Sequence, residues 1–289
     1  MINTHVLMSS ANYFSNEQPI NPYYHEESVD LARAQAEHDE IRSCLEQAGV
    51  RVTQVAAPPD SQDGVYTANW ALVRGDKAVL ARLPNARKAE EAWAEQALIS
   101  QGIEVVQVPE NYKFSGQGDA LPCGNYLFCG SQYRSDVAAQ EFAANTLGYE
   151  RIQLQTVPQC DEDGQPITNV SSGWPDSFYY DIDLALSVIQ GPTKTQKGLI
   201  AYCPEAFTPE SRAVLEQLEA VEKILVSEHE AKQAFACNLV STGKAVVMSA
   251  QAPKLKAALE ARGLRVFTPS ITELAKGGGY IRCTTLTLE

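Results

Sequence analysis

The segment "NWALVRGDKAVLAR", residues 69–82, contains the pattern on which the predicted fold rests. Asn69 precedes an apolar strand, Gly75 marks a turn, and a second apolar strand returns, which is typical of a β-hairpin. The same order recurs in "DALPCGNYLFCGS" from Asp119, "DLALSVIQGPTKTQKGLIAYC" from Asp183 and "NLVSTGKAVVMSA" from Asn238. The four segments start about 50 to 65 residues apart, a spacing that indicates repeated structural units.

A helix and then a further strand are predicted after each hairpin. The first hairpin is followed by "NARKAEEAWAEQALISQG", whose Ala, Glu and Leu content favours a helix that ends near Gly102. The strand "IEVVQVP" comes next. The corresponding helix and strand segments are "SDVAAQEFAANTLG" with "YERIQLQTV", "TPESRAVLEQLEAV" with "EKILVS", and "QAPKLKAALEARG" with "LRVFTP".

A fifth unit is predicted to join the two ends of the chain. The terminal segment "GGGYIRCTTLTLE", residues 277–289, alternates Thr and Leu from Thr284 to Leu288, as a half-buried strand does. We expect it to pair with "THVLMSS", residues 4–10, before the helix and strand of residues 28–56. The sequence therefore predicts an α/β fold of five hairpin–helix–strand units that close into a ring.

In such a ring the start of every hairpin points to the centre. We therefore expect the residues that open the hairpins to converge with the region of Cys283. A polar residue at each of these places is unusual for a core and typical of a site. The alternative is that Asn and Asp only favour turns and strand entry. The converging residues are Asn69, Asp119, Asp183 and Asn238.

Composition limits the class of protein. Of the 289 residues, 44% are hydrophobic and 20% are charged, which is ordinary for a soluble globular protein. We find no apolar run of about 18 residues and no signal peptide at the start, so no membrane association is expected. The seven cysteines have no paired spacing, which favours reduced thiols and a cytoplasmic location.

Charge and motifs limit the ligands. The net charge of −13 opposes binding to nucleic acid and would attract a small cationic molecule. Neither a CxxC pair nor a metal-binding histidine pattern occurs, so we expect no metal. A nucleotide-binding GxGxxG turn is also missing, and we expect no cofactor. A homo-oligomer is compatible with the sequence.

Several short motifs together resemble the guanidino-group-modifying pentein family, which includes arginine deiminases, dimethylargininases, arginine dihydrolases and amidinotransferases. The resemblance extends from Ile20 to Leu288. It implies a five-bladed, pseudo-symmetric α/β propeller, the pentein fold, as a single domain over residues 1–289. The motifs are "INPYY", "VYTANWALV", "GQGDALPCG", "RSD", "FACNLV" and "GGGYIRCTTLTL".

The resemblance assigns roles to individual residues. Cys283 matches the nucleophile that attacks the guanidinium carbon, and the alternative is a buried structural cysteine. The glycines at 277–279 could bring backbone N–H groups close to its sulfur. Asp63 and Asn69 match the positions that hold the guanidinium nitrogens, and turn formation is their alternative role. Many relatives have a carboxylate where this chain has Asn69, but the arginine-dihydrolase branch has Asn.

Three further residues match positions that bind or order the substrate. Arg134 matches the arginine that pairs with a substrate α-carboxylate, for which a guanidinium is suited. Arg87 resembles a second carboxylate-binding arginine, and it could equally be a solvated residue in the first turn of a helix. Asp119 matches an acidic residue at the start of a hairpin, where it would order the site.

The chain departs from the family pattern at the acid/base pair. Relatives have His where this chain has Asp181, with the acidic position kept as Asp183, and Glu where it has Ser115. We expect Asp181 to lie beside Cys283 and to take over proton transfer. The polar insertion at residues 158–177 could act as a lid anchored by Trp174, or it could be an ordinary surface loop.

Two classes of function follow. The first is a cysteine-dependent C–N hydrolase or amidinotransferase that acts on a small guanidino or ureido amino acid through Cys283. The second is a catalytically inactive member of the family that binds a ligand or a protein. Cys283, the glycine run, Asn69 and Arg134 favour the enzyme. The missing histidine favours the binding module.

Overall fold

The computed structural model describes residues 3–24, 27–59, 61–130 and 132–289. Five small sheets of three strands each are present, and in each sheet an antiparallel hairpin is joined by a parallel third strand. The strands are β1 (His5–Ser9), β2 (Arg51–Val55), β3 (Ala71–Arg74), β4 (Lys77–Leu80), β5 (Glu104–Gln107), β6 (Ala120–Cys123), β7 (Tyr126–Cys129), β8 (Glu150–Gln153), β9 (Leu186–Gln190), β10 (Gly198–Tyr202), β11 (Val221–Leu225), β12 (Val240–Ser241), β13 (Ala245–Val247), β14 (Arg265–Phe267) and β15 (Leu286–Thr287).

A helix lies between the hairpin and the third strand of each unit, as the repeat predicts. Helices α1, α2, α3 and α6 each contact the third strand of their own unit. The repeat pattern does not predict α5, a helix of 7 residues that begins after Ser227. The helices are α1 (Leu31–Gln47), α2 (Glu90–Ser100), α3 (Val137–Leu147), α4 (Pro209–Gln217), α5 (Glu228–Ala234) and α6 (Pro253–Glu260).

The ends of the chain complete the fifth sheet, in the strand order β15-β1-β2. Strand β15 runs antiparallel to β1, with Val6 opposite Thr287 and Leu7 opposite Leu286. Hydrogen bonds join neighbouring units around the ring: Asn3 N donates to Ser241 O at 3.1 Å, and Ser241 Oγ donates to Ile189 O at 2.7 Å. The predicted five-bladed α/β propeller is therefore confirmed.

The last strand is shorter than the Thr/Leu alternation predicts. Thr284 N donates to Tyr280 O at 3.2 Å and Thr285 N donates to Arg282 O at 3.0 Å. These bonds hold residues 280–285 in consecutive turns, and the strand begins only at Leu286. The turns present Cys283 at the entrance of β15, on the inner side of the ring.

Short 3-10 turns, and not the strands themselves, position the polar residues that open the hairpins. Asn69 lies in the turn Thr67–Trp70 and Asp183 in the turn Ile182–Leu184, while Asp119 follows the turn Gly116–Gly118. The turn of one unit contacts the turn of the next unit. Their side chains therefore meet at the centre of the ring.

No helix among residues 3–24, 27–59, 61–130 and 132–289 is long and apolar enough to cross a membrane.

The three glycines at 277–279 are required by close packing. A Cβ on Gly279 would overlap the ring of Tyr66, and one on Gly277 would lie 2.9 Å from Phe14 Cε2. Gly278 has a φ of +82° and faces Asn21. The run therefore lets the chain pass against Tyr66, Phe14 and Asn21, which fixes the turns that carry Cys283.

We predict that Gly279→Ala destabilises the fold, because the added methyl group cannot enter the space that the Tyr66 ring fills. Overpacking of this kind costs about 1–3 kcal/mol, which corresponds to a fall of several degrees in the thermal midpoint. Gly49→Asn is the matched control, because Gly49 has a φ of +93° and open space, and Asn tolerates this conformation. Equal midpoints for both variants would contradict this account of the glycine run.

Candidate active site

Cys283 is held at the centre of the ring by a side chain from each of two other units. Asn238 Nδ2 donates to the sulfur at 3.1 Å, and Asn238 Oδ1 accepts from Cys283 N at 3.1 Å. The thiol donates to Asp183 Oδ2 at 3.5 Å. The backbone carbonyl of Cys283 accepts from Ala68 N at 3.0 Å, which ties the sulfur to the turn that carries Asn69. The sulfur is therefore fixed by residues far apart in sequence.

The surroundings of the sulfur disfavour the thiolate. Burial, followed by the nearby Asp183 carboxylate, raises the pKa of the Cys283 thiol well above its ordinary value. The hydrogen bonds from the Tyr280 backbone and from the Asn238 amide oppose this shift. The free thiol is therefore protonated at neutral pH, and ionisation needs either a positive charge or a proton acceptor close to the sulfur.

Asp181 faces Asn69 and Ser115 and does not hydrogen-bond to Cys283. Asn69 Nδ2 donates to Asp181 Oδ2 at 2.7 Å and to Ser115 Oγ at 2.8 Å. The hydrogen bond of the sulfur goes to Asp183, while Asp181 is close enough to raise the pKa of the Cys283 thiol, so the proton-transfer role of Asp181 stays a prediction. Asp181 Oδ1 is buried and has no hydrogen-bond partner among the described residues.

The approach of Asn69 and Asp181 depends on Gly118. A Cβ at Gly118 would overlap Asn69 Nδ2 and would lie 2.7 Å from Asp181 Oδ2. Burial raises the pKa of Asp181, while the Arg134 guanidinium and the hydrogen bonds from Ser115 and Asn69 lower it. Desolvation therefore raises the pKa of the Asp181 carboxyl group, and the polar groups around it offset only part of this rise.

Asp119 orders the turn that carries the two other aspartates. Its Oδ1 accepts from Ile182 N at 3.2 Å, and its Oδ2 accepts from Gln140 Nε2 at 3.1 Å. Burial and the neighbouring Asp181 raise its pKa well above the ordinary value. Since Ile182 lies between Asp181 and Asp183, this contact sets the direction of both side chains. The positions agree with the ordering role that the resemblance implies.

Arg87 is buried, so the interpretation as a solvated helix residue is wrong. It forms an ion pair with Glu90, with 2.7 Å between Arg87 Nη2 and Glu90 Oε2. Arg87 Nη1 donates to Asn69 Oδ1 at 2.7 Å, and Nη2 donates to Asp63 O and Tyr66 O at 3.2 and 3.1 Å. Its guanidinium therefore orients Asn69, with Nδ2 pointing to Asp181.

Asp63 is covered by residues 20–24 of the N-terminal segment, through Tyr24. Tyr24 Oη donates to its carboxylate, at 2.7 Å from Oδ1 and 2.9 Å from Oδ2, and Gln62 Nε2 donates to Oδ2 at 3.1 Å. Burial raises the pKa of Asp63, and the Arg87 charge opposes the shift. Residues 20–24 thus cover this side of the site.

Arg134 approaches the site from the side of Asp181. Its Nη2 donates to Ile20 O at 2.8 Å, and its guanidinium stacks on the Tyr180 ring at 3.9 Å from the centroid. None of the ion pairs between described side chains includes Arg134. A buried guanidinium without a carboxylate at this place can receive one from a ligand.

The polar insertion at 158–177 forms two small bridged turns. Cys160 bridges to Pro166 and Thr168 to Pro175, and the Lys113 ammonium lies 5.2 Å from the centroid of the Trp174 ring. Trp174 is half-buried against Lys113. The contacts over the site residues come instead from residues 20–24, and the lid role of the insertion stays a prediction.

The described histidines lie away from the sulfur. His5 contacts Thr53 at the opposite end of the strands, and His38 is buried in α1, where desolvation lowers its pKa to about 4. His229 lies in α5. His25 lies outside the described residues. Among residues 3–24, 27–59, 61–130 and 132–289, no hydrogen bond joins an imidazole to Cys283.

Sequence reasoning missed several residues that complete the site. Glu90, at the third position after Arg87, could have been found as a carboxylate at helical spacing from an arginine. No sequence signal identifies the others, because their contacts form only after the chain has folded. They are Tyr24, which contacts Asp63, Tyr180, which stacks on Arg134, Gln140, which contacts Asp119, and Arg282, which lies next to Cys283.

A ring of five α/β units with a cysteine and several carboxylates at its centre is the architecture of the penteins. The family model of the eukaryotic N,N-dimethylarginine dimethylhydrolases matches residues 8–170. The chain belongs to this family of C–N hydrolases, whose members act on arginine-like guanidino groups. The predicted resemblance is thereby confirmed.

Two curated relatives align along almost the whole chain. It is 30% identical to the N(G),N(G)-dimethylarginine dimethylaminohydrolase of Mycobacterium tuberculosis, over 98% of this chain and 85% of the relative. It is 27% identical to the bifunctional arginine dihydrolase/ornithine cyclodeaminase ArgZ of Synechocystis sp., over 97% of this chain. The alignment spans only 37% of the length of ArgZ.

Solved structures of the N-terminal domain of ArgZ share the fold. The form bound to its substrate superposes with a TM-score of 0.83 and 26% identity, over 98% of this chain and 97% of that domain. A variant of the same domain, covalently bonded to a reaction intermediate, superposes with a TM-score of 0.84 and covers 99% of this chain and 97% of that domain.

We predict that Asp183→Asn raises the thermal midpoint at neutral and alkaline pH. Burial and the Asp181 charge raise the pKa of Asp183 in the folded protein, so the folded state binds this proton more tightly than the unfolded state does. The resulting stability is fully present below the unfolded pKa and is lost as the pH rises through the folded pKa. Asn has no proton to lose, so the midpoint difference should grow from pH 4 to pH 8.

The exposed Asp39, which pairs with Arg42 on the surface, supplies the control. Asp39→Asn should change the midpoint little at any pH. A midpoint difference for Asp183→Asn that shrinks with rising pH would contradict a raised pKa.

Proposed function

We propose that the chain is a cysteine-dependent C–N hydrolase that acts on the guanidino group of a small arginine-like amino acid, with Cys283 as the nucleophile. The observation that carries the proposal is the placement of the Cys283 sulfur between the Asn238 amide and the Asp183 carboxylate. The relative ArgZ, whose domain forms a covalent reaction intermediate, supports it. An amidinotransferase would instead break the C–N bond to the alkyl nitrogen of the substrate, keep only the amidino group on the sulfur and pass it to an amine.

The two ends of the substrate have separate binding groups. The unpartnered Asp181 Oδ1 would accept from the guanidinium nitrogens, with Asn69 and Asp63 on the same side of the site. Arg134 would pair with the α-carboxylate in a charged hydrogen bond. Arg87 acts on the substrate only through Asn69, whose amide it orients. Since residues 20–24 contact Arg134 and Asp63, they must move when the substrate enters.

The reaction begins with the removal of the thiol proton. Burial keeps the pKa of Asp183 high in the free protein, and the positive guanidinium of the bound substrate favours its ionised form. Asp183 Oδ2, the carboxylate oxygen nearest the sulfur, then takes the thiol proton, and the guanidinium offsets the charge of the thiolate. The sulfur then forms a bond to the guanidinium carbon. The C–N bond to the leaving nitrogen breaks as Asp183 returns the proton to that nitrogen. Water then attacks the thiouronium carbon and gives one proton to Asp183, which passes it to the sulfur as the C–S bond breaks. The neutral ureido product and the thiol are released, and the proton left over from the cation goes to the departed amine or to solvent.

The role of Asp181 as a second acid/base group stays a prediction. Its pKa is raised by burial, so it holds its proton to a higher pH than an exposed carboxyl does. Close to the leaving nitrogen it would be the alternative to Asp183 as the proton donor, and as a carboxylate it would hold the guanidinium. The two aspartates would share the proton-transfer task that the resemblance assigns to a histidine.

The nucleophile is tested with Cys283→Ser. We expect this variant to form no ureido product from arginine, methylated arginines or agmatine, and to release neither ammonia nor methylamines, with a nearly unchanged thermal midpoint. Chloroacetamidine, a small cationic alkylating agent, should add to Cys283 of the unmodified protein faster than the neutral chloroacetamide does, as intact-protein mass spectrometry would detect. Cys123→Ser, which alters a buried thiol outside the site, should keep both turnover and the adduct.

Other outcomes identify the alternatives. Turnover retained in Cys283→Ser would overturn the proposal. Arginine binding by calorimetry, without turnover and without preferential reaction of the cationic reagent, would identify a ligand-binding member of the family. Transfer of the amidino group to added glycine would identify an amidinotransferase.

Arg134→Ala is predicted to raise the KM for arginine by about 10- to 100-fold, which corresponds to about 1.5–3 kcal/mol for a hydrogen bond to a charged group. Agmatine lacks the α-carboxylate and is the matched substrate control, so its KM should change much less. Arg134→Lys should recover part of the loss, because it keeps the charge. Equal losses with arginine and agmatine would show that Arg134 supports the fold of the site and does not bind the carboxylate.

A further inference from the structure

Arg282 is a buried cation next to the proposed nucleophile, and no role has been assigned to it. Its side chain is 3% exposed. Arg282 Nη1 donates to Thr285 O at 2.9 Å, and to Thr285 Oγ1 and Thr287 Oγ1 at 3.2 Å each, while Nη2 donates to Gln117 Oε1 at 2.7 Å. All of these acceptors are neutral. The guanidinium is thus held in place without a direct ion pair among the described side chains.

A buried guanidinium needs a negative charge nearby. The free energy of desolvation is large, and in Arg87 it is offset by the ion pair with Glu90 at 2.7 Å. For Arg282, burial lowers the pKa to about 10, and the anionic groups that oppose the shift are Asp183 and Cys283. The negative charge that compensates the Arg282 guanidinium is therefore the one carried by either the Asp183 carboxylate or the Cys283 sulfur in the proposed reaction.

A small cavity lies between Arg282 and Asp183. It has a volume of about 10 Å³, close to the minimum for one water molecule, and Asn3, Ser187 and Cys237 also line it. Arg282 Nε and Asp183 Oδ1 are buried, and neither has a hydrogen-bond partner among the described protein atoms. A water molecule between them would accept from Nε and donate to Oδ1.

We propose that Arg282 is the internal counter-charge of the Cys283–Asp183 pair, coupled to Asp183 through one water molecule in this cavity. Asp183 then has two separate contacts, with Oδ2 toward the thiol and Oδ1 toward the water and Arg282. Proton transfer from the sulfur to Oδ2 moves one negative charge from the carboxylate to the sulfur. The total charge beside Arg282 stays the same. Arg282 is a positioning residue that keeps this charge in the buried site.

This proposal rests on the proposed function for its catalytic meaning, but its electrostatic content can be tested without turnover. The readout is the pH dependence of Cys283 alkylation by iodoacetamide, with the adduct located by mass spectrometry. Several other groups face the thiol or its partner and remain unchanged in the variants compared. They are Asp181, Asp119, Tyr23, Tyr66, Tyr180 and Cys237.

Arg282→Gln should shift the rise of alkylation to higher pH and slow it about tenfold or more at pH 8, since the thiolate loses its counter-charge. Arg282→Lys keeps the charge and should show a smaller shift in the same direction. Arg74→Gln removes an arginine at the far end of β3 and should behave like the unmodified protein. Coinciding profiles for the unmodified protein and Arg282→Gln would overturn the proposal. If Arg282→Gln does not fold, Arg282→Met, which also lacks the charge, takes its place, and a profile equal to that of the unmodified protein would overturn the proposal.

A crystal structure of the unmodified protein tests the water link. We expect one ordered water within hydrogen-bond distance of Asp183 Oδ1 and Arg282 Nε, and density showing none there would overturn the link. The proposed function can fail separately. A shifted alkylation profile in a protein without turnover would leave Arg282 as the counter-charge and would remove only the catalytic conclusion. Normal turnover of the unmodified protein, with an alkylation profile that Arg282→Gln does not shift, would overturn the counter-charge role of Arg282 and leave the proposed function in place.

Discussion

Pairing of the terminal strand β15 with β1 closes the ring, and every contact at its centre depends on this closure. Residues 280–285 can place Cys283 between Asn238 and Asp183 only because Leu286 and Thr287 are fixed opposite Leu7 and Val6. Closure also removes water from several carboxyl groups at once. Desolvation is the largest cause of the raised pKa values of Asp119, Asp181, Asp183 and Cys283. The same constraint that forms the site therefore sets its electrostatics.

The two departures from the family pattern belong together. The family pattern that the sequence resembles has Glu and His at the positions of Ser115 and Asp181, which implies that the carboxylate lies on the other side of the Asn69 amide in this chain. Asn69 Nδ2 donates to both Ser115 Oγ and Asp181 Oδ2, at 2.8 and 2.7 Å. Two carboxylates around one amide would repel each other in this buried place. Because Ser115 is neutral, no second carboxylate repels Asp181 at this place. In the proposed reaction, the positive charge that the histidine of the family pattern would supply comes from the substrate or from Arg282.

Charges at the centre are compensated in two ways. Arg87 has a direct partner in Glu90 and uses its remaining donors to orient Asn69. Arg134 and Arg282 are buried without a direct carboxylate partner among the described side chains, on different sides of the aspartates. In the two proposals made above, Arg134 pairs with the carboxylate of a ligand, and Arg282 neutralises the thiolate–carboxylate pair. Binding and reactivity thus depend on separate cations.

The sequence by itself determined the repeated unit, the closure of the ring and the convergence of Asn69, Asp119, Asp183 and Asn238 near Cys283. These features follow from local patterns, which short segments carry in full. The short helix α5 lacked a comparable pattern. Only the tertiary structure decided that Asp183, and not Asp181, contacts the sulfur, because the turn Ile182–Leu184 is oriented by Asp119 from another unit. It also decided that Arg87 and Arg282 are buried, since their partners and the loss of water exist only after the units have packed together.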